Sequence, residues 1–149
     1  MNLKRFDRMF LVLGLFVTAL LGTGCGSRME MDSKMEEIAG EYVLVPTHEM
    51  LRIPQEDFDA KKVASIRKSG DEWVLEYSCP VFSYPDGGFV YFFHRFSQRI
   101  YYNQVRGTYI VSPLSEEDVR GTGLRILELE PVKISSRELT VGRFTWNKQ

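Results

Sequence analysis

Short runs of alternating apolar and polar residues, broken by Gly, Pro, Asp and Ser, dominate the chain from Gly40 onward. Alternation with period 2 is typical of strands that bury one face, and such closely spaced turn signals favour antiparallel neighbours over βαβ units. The pattern predicts a small, mainly β domain, either an antiparallel barrel or a sandwich of about eight strands. The predicted strands are Glu41–Val45, Val63–Lys68, Trp73–Tyr77, Phe89–Phe96, Arg99–Gln104, Gly107–Val111, Leu124–Leu129 and Leu139–Trp146.

Turns and short helices fill the spaces between these strands. Ser69-Gly70-Asp71-Glu72 predicts a hairpin between the second and third strands. Pro54 suits the first turn of a helix over Ile53–Lys62. Ser33 and Glu36 have the spacing of a capping box, which predicts a short helix over Ser33–Ile38 within an otherwise polar segment.

The N-terminal segment has a basic start and an apolar core. The basic residues Lys4, Arg5 and Arg8 precede the uncharged run Met9–Leu21. This layout is typical of a secretory signal. A membrane-spanning helix is the competing interpretation. However, 13 residues that rise about 1.5 Å each cover roughly 20 Å, short of the ~30 Å hydrocarbon core. Cleavage is therefore the favoured interpretation.

Small residues lead into a cysteine where the apolar run stops. Gly22-Thr23-Gly24 precedes Cys25. Residues 1–25 resemble the lipobox signal of bacterial lipoprotein precursors. In that family a large aliphatic residue is usual at the position of Gly22, so the sequence departs from the family pattern there. The resemblance implies that the signal is removed and that Cys25 carries a diacylglyceryl group on sulfur, often with an acyl chain on nitrogen. Two or three chains give stable anchoring, which a single chain does not.

The same resemblance implies a location and a partner. The protein would sit in the cell envelope with the lipid bilayer as its partner through acylated Cys25, and Gly26 in place of Asp after the cysteine favours the outer membrane. The alternatives are an ordinary cleaved signal or an uncleaved anchor. The predicted organisation is a signal peptide at 1–24, a lipidated cysteine and tether at 25–39, and a single β domain at 40–149.

Charge and cysteine content limit which partners the mature chain can bind and which disulfides it can form. Removing residues 1–24 takes three of 19 basic and one of 20 acidic residues away, which leaves a net charge of −3. A net negative chain offers no basic field for nucleic acid. With Cys25 acylated, Cys79 has no intramolecular partner, and a buried thiol is its expected state. An intermolecular disulfide and a reactive thiol are the alternatives.

A short motif bears on the architecture. Gly40-Glu41-Tyr42 opens the first predicted strand and is similar to the Gly-x-Trp start of lipocalin-like proteins. That resemblance implies a cup-shaped barrel that holds an apolar or amphipathic ligand.

Aromatic residues concentrate in one part of the chain, since Tyr77–Tyr109 contains 11 of the 19. In a strand over Phe89–Phe93 both faces would be apolar, so the strand either crosses the core or presents one face to a ligand or partner. Nearby arginines suit an anionic group, although a solvated strand face is the alternative. The candidate ligand or partner surface comprises Tyr91, Phe93, Arg95, Arg99 and Tyr101.

Catalytic and metal-binding signatures are weak. His48-Glu49 begins like a zincin helix, but Arg52 stands where the second histidine belongs. Cys79 with His94 lacks a third orienting residue. No catalytic residue, cofactor or metal is predicted. The favoured function is a membrane-anchored lipoprotein that binds an apolar or amphipathic ligand, the alternative is an interaction or structural subunit of an envelope assembly, and an enzyme ranks third.

Overall fold

Eight antiparallel strands form one sheet that curls into a nearly closed barrel. The computed structural model describes residues 28–149, so the predicted signal peptide and Cys25 lie outside the described residues. The strands are β1 Gly40–Leu44, β2 Val63–Ser69, β3 Glu72–Ser83, β4 Val90–Asn103, β5 Thr108–Val111, β6 Val132–Ile134, β7 Glu138–Val141 and β8 Phe144–Lys148. The helices are α1 over 28–38, α2 Gln55–Lys61 and α3 Glu116–Val119, with 3-10 turns at Met50–Arg52, Pro85–Gly87 and Ile126–Glu128.

The strand order is that of an up-and-down barrel with one open seam. The order β5-β4-β3-β2-β1-β8-β7-β6 is antiparallel throughout. β1 pairs on one side with β2 and on the other with β8, where Leu44 faces Trp146. Within the described chain no ladder joins β5 to β6, and a groove of about 630 Å³ follows that seam. Of the two predicted architectures, the barrel is confirmed.

Two strands are longer than the sequence predicts. β3, predicted as Trp73–Tyr77, is Glu72–Ser83. β4 runs unbroken where the sequence predicts the separate strands Phe89–Phe96 and Arg99–Gln104. The polar residue that interrupts the pattern is Gln98, which is buried and hydrogen-bonded through both its amide oxygen and its amide nitrogen. Its Oε1 accepts from the Tyr77 hydroxyl at 2.7 Å and its Nε2 donates to the Ser112 carbonyl at 2.5 Å. A satisfied amide can stay inside a strand, so the polar interruption does not mark a turn.

Three further differences lie in the C-terminal third. The predicted strand Leu124–Leu129 is wrong, because the Arg125 backbone N–H donates to the Glu128 carboxylate at 2.6 Å and the chain turns there. The predicted strand Leu139–Trp146 is two strands, since Gly142 takes φ +56° and reverses the chain. The sequence does not predict β6, because a strand of only three residues is too short to show alternation. These differences add one strand in all, which offsets the two predicted strands that merge in β4, so the total remains eight.

Large side chains fill the barrel interior. Tyr42, Tyr77, Phe144 and Trp146 are each at most 1% exposed. The Tyr77 and Trp146 rings meet edge to face with centroids 5.9 Å apart, a favourable aromatic geometry. The barrel interior is therefore a packed core. The resemblance to lipocalin-like proteins implies a ligand-holding cup at this place.

The helix α1 is part of this core. Met35 and Ile38 are 2% and 0% exposed, and the Tyr42 hydroxyl donates to the Ile38 carbonyl at 2.6 Å. The predicted helix over Ser33–Ile38 is present and extends back to residue 28. Within the segment 25–39, which the sequence predicts to be a tether, α1 packs on the barrel through Met35 and Ile38. The predicted helix over Ile53–Lys62 is also present as α2, with Phe58 buried.

Candidate functional site

The five predicted surface residues share one face of β4 without forming one surface. From Arg95 to Tyr101, buried Phe96, Gln98 and Ile100 alternate with exposed odd-numbered neighbours, whereas nearer the hairpin tip the even-numbered Val90 and Phe92 are exposed and Tyr91 and Phe93 are partly buried. Tyr91 and Tyr101 are ten residues apart, which places them about 34 Å apart along an extended strand. They therefore belong to opposite ends of the barrel.

Tyr91 and Phe93 lie in the hairpin that continues past β2. β2 pairs with β3 only as far as Glu76, whereas β3 and β4 remain paired to Ser83 and Val90. The Tyr91 hydroxyl donates to the Asp57 carboxylate on α2. Phe93 is half-buried and opposite Pro80. Both side chains therefore help to hold the hairpin in place.

A cation–π contact reinforces this region. The Arg52 guanidinium lies 4.2 Å from the centroid of Phe89, and Phe89 stacks on Phe82 at 5.7 Å. These contacts fix the 3-10 turn before α2 against the hairpin.

Arg95 belongs to a charge ladder on the outer surface. It pairs with Glu76 at 3.1 Å, and Glu76 also binds Arg67 at 2.8 Å. The hydrogen bond from Arg67, with the charge of Arg95, lowers the pKa of the Glu76 carboxyl. The Arg95 side chain is 69% exposed, so this ladder is a solvated strand face.

Arg99 and Tyr101 line a groove at the other end of the barrel, which we call the α1 groove. It lies between α1, the β2–β3 hairpin and β4, and its volume is about 410 Å³. Its lining combines an apolar floor with a charged rim. The apolar residues are Met31, Met35, Trp73, Ile100, Tyr101 and Tyr102, and the charged ones are Arg28, Asp32, Lys68, Asp71, Glu72 and Arg99.

Paired charges organise the rim of the α1 groove. Trp73 Nε1 and Lys68 Nζ each lie 3.4 Å from the Asp32 carboxylate, and Arg99 Nε lies 3.1 Å from Glu72 Oε2. The hydrogen bond from Trp73 is the largest cause of a lowered pKa at Asp32. Asp32 therefore carries its charge at neutral pH and fixes α1 against the β2–β3 hairpin.

Most of this groove is not predicted from the sequence. Arg99 and Tyr101 are among the predicted surface residues, but Met31, Asp32, Met35 and Trp73 are not. A signal for the helix residues is present, since Met31, Met35 and residue 38 have the spacing of one helical face. That Asp32 meets Trp73 depends on how α1 docks, which no local pattern encodes.

The cysteine and histidine considered for catalysis are cross-strand neighbours. Cys79 on β3 faces His94 on β4. Cys79 is 0% exposed, and burial raises the pKa of its thiol, so it stays protonated at neutral pH. Among residues 28–149, no group of three His, Cys, Asp or Glu side chains is arranged to hold a metal ion.

Comparison with known proteins gives no relative. No protein-family model matches the chain, and no curated protein or solved structure matches it either. Among the helices of the described chain, none has the length and apolar character needed to cross a bilayer.

Proposed function

We propose that this chain is an envelope lipoprotein, acylated on Cys25, whose β domain binds an amphipathic ligand in the α1 groove. The basic start, the short apolar run and the small residues before Cys25 support the anchor. The filled interior directs ligand binding to the barrel surface. The predicted outer-membrane location remains part of this proposal.

The composition of the α1 groove is the observation that carries the ligand class. Its volume of about 410 Å³ falls within the range of small-molecule sites. Met31 supplies flexible apolar surface that adapts to an alkyl chain, and it lies over the buried Met35. The rim presents both charge signs in the Lys68–Asp32 and Arg99–Glu72 pairs, and the Asp32 carboxylate lies 3.4 Å from Trp73 Nε1. A single-chain amphiphile with a zwitterionic head matches both features.

Intrinsic fluorescence tests this ligand class. The chain has two tryptophans, Trp73 in the groove and Trp146 in the core at 0% exposure. A lysophospholipid with bromine on its acyl chain, kept below its micelle concentration, is expected to quench Trp73 in a soluble form comprising residues 26–149. The variant Trp73→Phe should lose the quenching, because Trp146 is shielded.

Matched substitutions locate the bound chain. Met31→Gln should weaken binding about tenfold, since it places an amide on the apolar floor. Val90→Gln on the distant hairpin is the control and should leave the affinity unchanged. Equal effects of the two substitutions, or quenching that persists in Trp73→Phe, would contradict a site in the α1 groove.

Mass spectrometry tests the anchor. Protein extracted from bacterial membranes is expected to begin at Cys25 and to carry the mass of two or three acyl chains. Cys25→Ala should abolish both the cleavage and the added mass. An N-terminus elsewhere without added mass would contradict the lipoprotein proposal.

A protein-interaction role is the second candidate, and one observation favours it. Tyr84, Val90 and Phe92 are 50%, 50% and 42% exposed in the hairpin beyond β2. Exposed apolar residues in one place are typical of contact sites. Under this function, Val90→Ser with Phe92→Ser should abolish crosslinking to a specific envelope protein, whereas Met31→Gln should not.

A further inference from the structure

We infer that the end of the barrel that carries the start of α1 and the β4–β5 turn lies against the lipid bilayer, with Met29 and Val105 entering the headgroup region. We call this end the proximal face, defined by residues 28–31 and 103–106. The inference rests on the proposed acylation of Cys25 and adds the orientation of the domain.

The length of chain between the anchor and the fold limits this orientation. Arg28, the first described residue, lies three residues after Cys25. Even fully extended, three residues reach only about 10 Å. The acylated sulfur would itself lie at the membrane interface, so the start of α1 is held within that distance of the headgroups.

Two exposed apolar side chains mark the same face. Val105 is 97% exposed at the tip of the β4–β5 turn, and Met29 is 75% exposed in the first turn of α1. The two elements are in contact, because Gln104 Nε2 lies 3.4 Å from Glu30 Oε2. Transfer of such exposed apolar side chains from water into the membrane interface is favourable through the hydrophobic effect.

Basic residues stand next to both of them. Arg28 precedes Met29 and Arg106 follows Val105. The Arg106 backbone N–H donates to the Asn103 side chain at 3.0 Å, which defines the turn that presents Val105. Long arginine side chains can keep their charge at the headgroups while a neighbouring apolar group enters more deeply.

The opposite end cannot make the same contact in an upright barrel. The hairpin with Val90 lies 13 residues along β4 from Asn103, about 44 Å for an extended strand. Its exposed Tyr84 and Val90 therefore point away from a membrane that the proximal face touches. A barrel lying on its side would instead bring both ends to the bilayer, which makes the two arrangements distinguishable.

Depth-dependent quenching tests the orientation on the full lipidated protein. Val105→Cys and Val90→Cys variants are each labelled with an environment-sensitive fluorophore on vesicles of phosphatidylethanolamine and phosphatidylglycerol. Cys79 is buried and Cys25 is blocked by its thioether, so only the introduced thiol reacts. Lipids that carry a headgroup spin label should quench the Val105 label several-fold more than the Val90 label. The Val105 emission should also shift to the blue.

Each outcome has a defined meaning. Comparable quenching at both positions would show a barrel lying flat, and quenching at neither would show a domain that stands clear of the bilayer; both overturn the orientation. Intact mass of the same samples separates these results from failure of the anchor. A chain without acyl mass would overturn the proposed lipoprotein function and this inference with it.

Discussion

Replacing Gly142 by alanine is expected to cost more than about 4 kcal/mol of folding free energy, near the top of the range for single substitutions. Gly142 turns the chain between β7 and β8 with φ +56°. A Cβ at this position would lie 1.9 Å from the Glu128 carbonyl oxygen and 2.7 Å from the carbonyl carbon. These are backbone atoms of a 3-10 turn, so no rotamer change can relieve the overlap.

A second glycine isolates the steric part of this effect. Gly70 has a similar φ of +61°, but nothing lies within 4 Å of its added Cβ. Gly70→Ala should therefore cost only the left-handed backbone penalty of about 1–2 kcal/mol. Urea unfolding followed by circular dichroism measures both variants. Equal losses would mean that the approach of Glu128 to Gly142 does not restrain the fold.

Ile38→Ala is expected to destabilise the domain by about 2–5 kcal/mol, because Ile38 is fully buried and truncation leaves a cavity. The Ile38 carbonyl, which accepts the Tyr42 hydroxyl, is retained in the variant, and alanine is a good helix former, so the loss reports the packing of the Ile38 side chain. The result bears directly on whether residues 28–38 belong to the domain or merely lead to it.

Met29→Ala provides the matched control on the same helix. Met29 is 75% exposed, so its truncation should change stability by no more than about 0.5 kcal/mol. Thermal unfolding of the two variants beside the parent protein gives the comparison. A loss at Ile38 as small as that at Met29 would contradict a docked α1 and restore the simple tether.

The β character of the domain is readable from sequence because alternation and turn residues are local signals. The hairpin around Gly70 is an example, since its turn chemistry and both flanking strands appear in the sequence. The unbroken course of β4 is not readable, because the partners of Gln98 are Tyr77 and Ser112, distant in sequence. Local polarity at Gln98 therefore indicates a break that tertiary hydrogen bonds remove.

The candidate site is only half predictable for a similar reason. Arg99 and Tyr101 stand out as a charged and an aromatic residue on an exposed strand face. Tyr91 stands out equally, yet its hydroxyl is engaged by Asp57 on α2. Which aromatic side chains remain accessible depends on where α1 and α2 pack, and the contacts of Trp73 with Asp32 and of Tyr91 with Asp57 join residues more than 30 positions apart.

The pairing of β1 with β8 sets the order in which the barrel can be completed. Leu44 faces Trp146 across this ladder, so about one hundred residues must be available before β1 obtains its second neighbour. Closing so large a loop costs conformational entropy before any contact across it forms, and such long-range pairing slows folding. If the chain is exported as proposed, β1 can pair with β2 early, but its other edge stays unpaired until β8 has been translocated. Barrel closure is then a late event, and until it occurs the edge of β1 that later pairs with β8 is open to pairing with other chains.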